Sequence, residues 1–215
     1  MAQTFAIRQI QLYKGPYLTP TDEERGGAEE GYYKETAGQT FKVSDLVYLD
    51  SNGTVAICTT AASPGKLNSP ILGLAQQAAT GVTGNPVRVR VISRNDRFLM
   101  NYFHSTAASS VIAQTSLRPD VAFGIYMGTA AINYAGGTGT GGFWVVDGIN
   151  TSPETGGTLA RVQIVGFLLS PDSAPLSSGS YGQPAIGDIN PPVIVRFLDY
   201  SIQSDGSAHV INLQG

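Results

Sequence analysis

Apolar and polar residues alternate with a period of two along most of this chain, in short runs. Phe5 and Ile7 alternate with polar neighbours, and after a one-residue change of phase at Arg8-Gln9 the alternation resumes at Ile10 and Leu12. This pattern predicts an extended N-terminal arm. Lys14-Gly15-Pro16 breaks it, Thr19-Pro20 restricts the next bend, and the acidic stretch to Gly31 predicts a solvated loop. From Thr36 to Ser170, strand-length runs are bounded by Gly, Pro, Asn, Asp or Ser, and strands are predicted at 46–49, 55–58, 71–76, 87–92, 98–103, 121–127, 143–146 and 161–168. Two more are predicted at 193–198 and 209–213.

Asp50-Ser51-Asn52-Gly53 separates the first two runs, and an Asn-Gly pair there predicts a hairpin because both residues tolerate positive φ. In the run 87–92, Val87, Val89 and Val91 share one face and Arg88 and Arg90 the other, so one side is buried and the other meets solvent or a partner. The helical pattern is confined to 106–117, before Pro119. Residues 171–192 are rich in Pro, Ser and Gly and read as a linker or long loop. These breaks divide the chain into an arm and acidic loop (1–35), a β domain (36–170) and a linker with C-terminal strands (171–215). The expected fold is mainly β: a small antiparallel β-barrel or sandwich with an extended N-terminal arm and a short C-terminal β extension.

Composition narrows the function. Only 13% of the 215 residues are charged, about half the usual share, which argues against ion-pair-rich helical folds. The net charge is −3, yet the window Asp22 to Glu35 holds six acids and two bases, so the rest of the chain is close to neutral. A near-neutral body has little counterion-release drive, and nucleic acid is not an expected partner. Cys58 is the single cysteine, so no intrachain disulfide can form, which suits a reducing compartment. No apolar run approaches about 18 residues, and Met1 to Arg8 lacks the order of a signal peptide, so no membrane association is expected.

Motifs with catalytic or ligand-binding potential fail on context. Gly137, Gly139 and Gly142 match a dinucleotide fingerprint, but Phe143-Trp144-Val145-Val146 after them predicts a strand where a helix is required. Ser63-Pro64-Gly65-Lys66 matches a serine-lysine pair, but its Pro-Gly centre predicts a turn rather than the helix that presents such a pair. Cys58 with His104 or His209 is the only thiol-imidazole pairing, and a cysteine in a β-prone run reads as a small core residue. No close metal-ligand spacing exists; Asp50-Ser51-Asn52-Gly53 has the flavour of a calcium loop without its further ligands. Glu23-Glu24 and Glu29-Glu30 lie in the acidic segment, with nothing to separate their proton affinities. Neither enzyme activity nor a cofactor or metal is therefore expected. Arg88, Arg90, Arg94 and Arg97 against Asp96 form a local positive excess that could meet an acidic surface.

The run Thr36 to Ala56, with Phe41-Lys42-Val43-Ser44-Asp45-Leu46-Val47-Tyr48-Leu49 leading into Asp50-Ser51-Asn52-Gly53, resembles the opening of the β-barrel domain of head decoration, or cement, proteins of tailed bacteriophages. Ile71-Leu72-Gly73-Leu74-Ala75, then Val87-Arg88-Val89-Arg90-Val91-Ile92 and Arg97-Phe98-Leu99-Met100, resemble its next strands in the same order. The similarity covers roughly residues 36–168 and rests on turn and core patterns; the arm and the residues after Ser170 have no counterpart in it. The resemblance implies a virion structural protein on the capsid exterior, assembled in the bacterial host cytoplasm. It also implies a homotrimer that binds the major capsid protein lattice. Phe5, Ile7, Ile10 and Leu12 of the arm, with Arg88 and Arg90, are the expected partner-binding residues. Burying four such arm side chains yields about 6 to 12 kcal/mol. Ordering some ten residues costs about 10 to 20 kcal/mol, so the arm should be fixed only where ladder hydrogen bonds or a neighbour contribute. The alternative is a host-surface or glycan-binding module using Tyr32, Tyr33, Tyr134 or Trp144, although Trp144 in a strand reads as core.

Overall fold

The structure, a computed structural model, describes residues 9–13, 30–58, 67, 69–93, 95–103, 122–127, 144–147, 160–167, 191–198 and 202–203. These residues are mainly β, with no helix among them, and their strands form two sheets. The predicted helix at 106–117, the linker over 171–190 and the strand at 209–213 lie outside the described residues.

The first sheet has the order β2-β6-β5-β3-β4, made of β2 (Glu30–Lys34), β6 (Pro86–Val91), β5 (Gly73–Ala75), β3 (Leu46–Leu49) and β4 (Val55–Ile57), all antiparallel. The second follows β10 (Val162–Phe167), β11 (Pro192–Phe197), β7 (Phe98–Phe103), β9 (Trp144–Asp147) and β8 (Ile125–Met127). In it β7 and β9 run parallel and the other pairs antiparallel. β1 (Gln11–Leu12) pairs with the start of β7, on the edge that β11 does not occupy.

Burial explains the sequence pattern. β3 reads Leu-Val-Tyr-Leu without a polar break because both of its faces are covered. Leu46 joins the main core between the sheets, with Ile71, Leu74, Phe98, Trp144 and Val195. Val47 points the other way, into a second core with Tyr33, Phe41, Val87 and Val89. Edge-on ring contacts reinforce the main core, Phe98 on Phe197 with centroids 5.3 Å apart and Tyr102 on Phe123 at 5.9 Å.

One expectation holds and one is corrected. The hairpin at 50–53 forms, but only Gly53 takes a positive φ, 72°, while Asn52 does not. The Gly53 N–H donates to the Asp50 carbonyl at 3.0 Å and Asp50 N–H to the Thr54 carbonyl at 2.9 Å, so the loop closes with one left-handed residue. The acidic segment, expected as solvated loop to Gly31 and charged to Glu35, ends in strand β2. Gly31, Tyr33 and Glu35 turn inward while Glu30, Tyr32 and Lys34 turn out. A Cβ on Gly31 would lie 2.6 Å from the Tyr33 ring, which folds back over it, so a larger residue there would have to displace that ring.

Candidate interaction surface

The register of β2 on β6 places Glu30 opposite Arg90, Tyr32 opposite Arg88 and Lys34 opposite Pro86, so Glu30, Tyr32, Lys34, Arg88 and Arg90 share one sheet face. The same face continues through Leu74, opposite Arg90, to Leu46, opposite Leu74. Its Leu46 and Leu74 half is covered in the main core, whereas Tyr32 is 64% exposed. Along β6 the change is gradual: Arg88 is exposed, Arg90 is half-buried, and Ile92 beyond the strand belongs to the core.

The two arginines therefore differ. The Arg88 Nε lies 3.7 Å from the Glu30 carboxylate with both side chains 45% exposed, a pair held loosely in solvent. The Nε of Arg90 is shielded from solvent with no hydrogen-bond partner. Its charge acts on the Asp96 carboxyl, which burial pushes above the ordinary range against the pull of the Ser93 N–H and of Arg90. Ser93 N–H donates to that carboxylate at 2.9 Å. Arg97 is exposed, and Arg94 lies outside the described residues.

The arm divides in the same way. Ile10 is buried in the main core and Leu12 packs against it; Gln11 pairs with Leu99, Leu12 with Phe98, and Tyr13 N–H donates to the Arg97 carbonyl at 2.8 Å. These two apolar residues are thus held by the chain itself, where ladder bonds add to burial. Phe5 and Ile7 lie outside the described residues.

The remaining sequence candidates resolve as follows. Burial pushes the Cys58 thiol up to about 12, outweighing its hydrogen bond to Ser69 and the charge of Arg161. Its Sγ donates to the Pro70 carbonyl at 3.6 Å. A thiol so placed is protonated near neutral pH and shielded from reagents. The Asp50 carboxylate accepts from Asn52 N–H and Thr54 N–H at 2.8 and 3.0 Å and from the Thr54 and Thr36 hydroxyls at 2.8 and 3.0 Å. Among the described residues no group of three His, Cys, Asp or Glu side chains could hold a metal ion. Tyr33 and Trp144 are buried, Trp144 as the core residue its strand position predicts. Tyr134, His104, His209, Ser63, Lys66 and Gly137 to Gly142 lie outside the described residues.

Three long-range clasps have no local sequence signal. Glu35 is fully buried, and its carboxylate accepts from Thr80 N–H at 2.9 Å, the Thr80 hydroxyl at 2.8 Å and Gly81 N–H at 2.6 Å. Thr36 N–H donates to the Val55 carbonyl at 3.0 Å, and Glu35 and Val55 form a parallel bridge, linking the end of β2 to the start of β4. Gln203 reaches the first sheet from beyond β11, its N–H donating to the Ile71 carbonyl at 2.7 Å. Compared with known proteins, the chain matches no family model, no curated protein and no solved structure.

Proposed function

We propose that this chain is a virion structural protein, a capsid-decoration protein that binds the major capsid protein lattice from outside as a homotrimer. The observation that carries the reading is the resemblance of residues 36–103 to the barrel domain of such proteins. It is supported by where those residues fall: the resembling runs supply β3, β4, β5 and β6 of one sheet and the start of β7 in the other. The bridge between β2 and β4, at the two ends of the first sheet's strand order, supports treating that sheet as a small barrel around the second core. The other sheet then stands as a packed layer with β11 inside it, and the segment 202–203 beyond β11 reaches back to the first sheet.

In this reading the arm makes the shell contact. Arg90 is half-buried, with the charge of Asp96 acting against its own, and Arg88 is balanced by Glu30, so long-range charge steering adds little. Because Ile10 and Leu12 belong to the chain's own core, the informative truncation removes residues 1–8 and keeps β1. The truncated protein should keep its strand content and melting transition but fail to decorate empty capsids in a sedimentation assay. Full occupancy by the truncated protein would remove the arm from the reading, and absence of the intact protein from purified virions would remove the reading itself.

A further inference from the structure

Asn52-Gly53 is the only Asn-Gly pair in the chain, and the fold sets it at the exposed tip of the β3–β4 hairpin. A Cβ on Gly53 would meet nothing within 4 Å, so no neighbouring group screens this peptide bond from water. An asparagine in such a place can react with its own backbone, because the following residue has no side chain to keep its nitrogen from the asparagine Cγ. The backbone around the pair is nonetheless tied down by a single residue. Three consecutive N–H groups donate to Asp50: those of Asn52 and Thr54 to Oδ1 at 2.8 and 3.0 Å, and that of Gly53 to the carbonyl at 3.0 Å. The second carboxylate oxygen accepts from the Thr54 and Thr36 hydroxyls at 2.8 and 3.0 Å. The proton of the attacking nitrogen is thus engaged and the residues on either side of it are fixed, so the turn has to open before the two groups can meet.

We propose that Asn52 is a site of spontaneous conversion to aspartate and isoaspartate, and that Asp50 gates the reaction by holding the turn closed. In the opened turn the Gly53 nitrogen gives its proton to solvent and bonds to the Asn52 Cγ. The bond from Cγ to the side-chain nitrogen breaks, and that nitrogen takes up a proton and leaves as ammonia, which closes a cyclic imide. Water then adds to either imide carbonyl and opens the ring, at Cγ to give aspartate and at the backbone carbonyl to give isoaspartate, whose chain runs through Cβ and Cγ. The sum is a water consumed and an ammonia released, with no enzyme and no change of oxidation state. Isoaspartate lengthens the backbone between Asp50 and Thr54 by a carbon, so the bonds to Asp50 cannot all re-form, and the first strand residue beyond them is Val55, the bridge partner of Glu35. The site is independent of the capsid contact proposed above, and either can fail without the other.

The test is peptide mapping of the intact protein after incubation in warm, mildly alkaline buffer, beside a urea-unfolded control. Trypsin cuts after Lys42 and Lys66, and Asn52 is the only amide side chain in the peptide 43–66, so the mass gained on exchanging NH2 for OH in that peptide assigns the site without ambiguity. Conversion of the folded protein is expected over many half-lives of the unfolded chain, with aspartate and isoaspartate forms separating on chromatography. Asp50→Ala should raise the folded rate roughly tenfold or more, because hydrogen bonds to a charged group are worth about that factor in the opening equilibrium. Thr36→Val, which removes one donor to the carboxylate and leaves the turn bonds in place, should raise it less. In urea all three proteins should convert at one rate, which separates loss of the gate from a change in the chemistry, and urea midpoints show which variants stay folded. No mass gain in 43–66 from the folded protein would overturn the site. Equal rates for folded and unfolded protein, or a folded rate unmoved by both substitutions, would overturn the gate.

Discussion

The side chain of Gln203 pairs with the backbone of Leu49 in both directions: the Leu49 N–H donates to Oε1 at 2.8 Å and Nε2 donates to the Leu49 carbonyl at 3.0 Å. An amide side chain here takes the place of a strand neighbour at the end of β3. With the bridge of Ile202 to Ile71, it ties the chain beyond β11 of the second sheet to the first. Gln203→Ala leaves the buried Leu49 groups without these partners and should cost about 1 to 3 kcal/mol in urea unfolding. Gln203→Glu should cost at least as much, because it sets a charged acceptor against the Leu49 carbonyl. Equal midpoints for all three proteins would show that the contact contributes nothing.

Glu35 holds the 80–81 segment over the second core through three donors. Truncation removes a fully buried hydrogen-bond cluster and strands the Thr80 and Gly81 N–H groups. Glu35→Ala should therefore cost about 3 kcal/mol or more, with hydrogen exchange rising first at Thr80 and Gly81. Uniform loss of protection across the first sheet would point to a global role instead.

Acid titration should separate three carboxylates. For Asp50, burial raises proton affinity, but the hydrogen bonds from Thr54, Asn52 and Thr36 together hold it below the ordinary 3.8. Its contribution to stability is then complete above 3.8 and is lost as pH falls through the lower native value. Asp45 and Asp96 are pushed the other way by burial, so the folded protein takes up their protons first, and acidification toward 3.8 relieves a cost. Unfolding free energies measured from neutral to strongly acid pH should show Asp50→Asn flattening the final loss and Asp96→Asn removing its share of the preceding gain, with Asp45 supplying the rest. An unchanged slope below 3.8 in Asp50→Asn would mean that its hydrogen bonds do not distinguish folded from unfolded protein.

Two glycines should respond differently. A Cβ on Gly73 would collide with the Arg90 carbonyl on the paired strand, and neither backbone can retreat without separating β5 from β6. Gly73→Ala should cost more than about 3 kcal/mol. Gly53 has open space around it and only its φ of 72° to defend, so Gly53→Ala should cost about 1 to 2 kcal/mol. Comparable midpoint shifts would contradict the difference.

What was legible from the residues is what local period encodes. The runs that became β3, β4, β6, β7, β9, β10 and β11 carry their alternation or apolar continuity in a few consecutive positions, and a hairpin at Gly53 follows from its neighbours. β2 was hidden because Gly31 presents no side chain and its alternation runs through Glu30, Lys34 and Glu35, which read as a charged loop. The difference between Arg88 and Arg90 depends on where the second sheet stops covering the first and on Asp96, neither of which the alternation encodes. Gln203 and Leu49 are separated by 154 positions, and no local pattern pairs them.

Cys58 offers a direct probe of whether the main core opens. Its thiol is pushed up to about 12 by burial and is bonded to the Pro70 carbonyl, so the thiolate that reacts with disulfide reagents is almost absent near neutral pH. Labelling with an aromatic disulfide should be negligible in the native protein and stoichiometric in denaturant, with an intermediate rate that follows the population of open molecules. Gln203→Ala should accelerate labelling if the clasp keeps the sheets together, since Cys58 sits in the core between them. Rapid labelling of the unmutated protein at neutral pH would place the thiol in solvent and contradict the packing of Leu46, Ile71 and Trp144 around it.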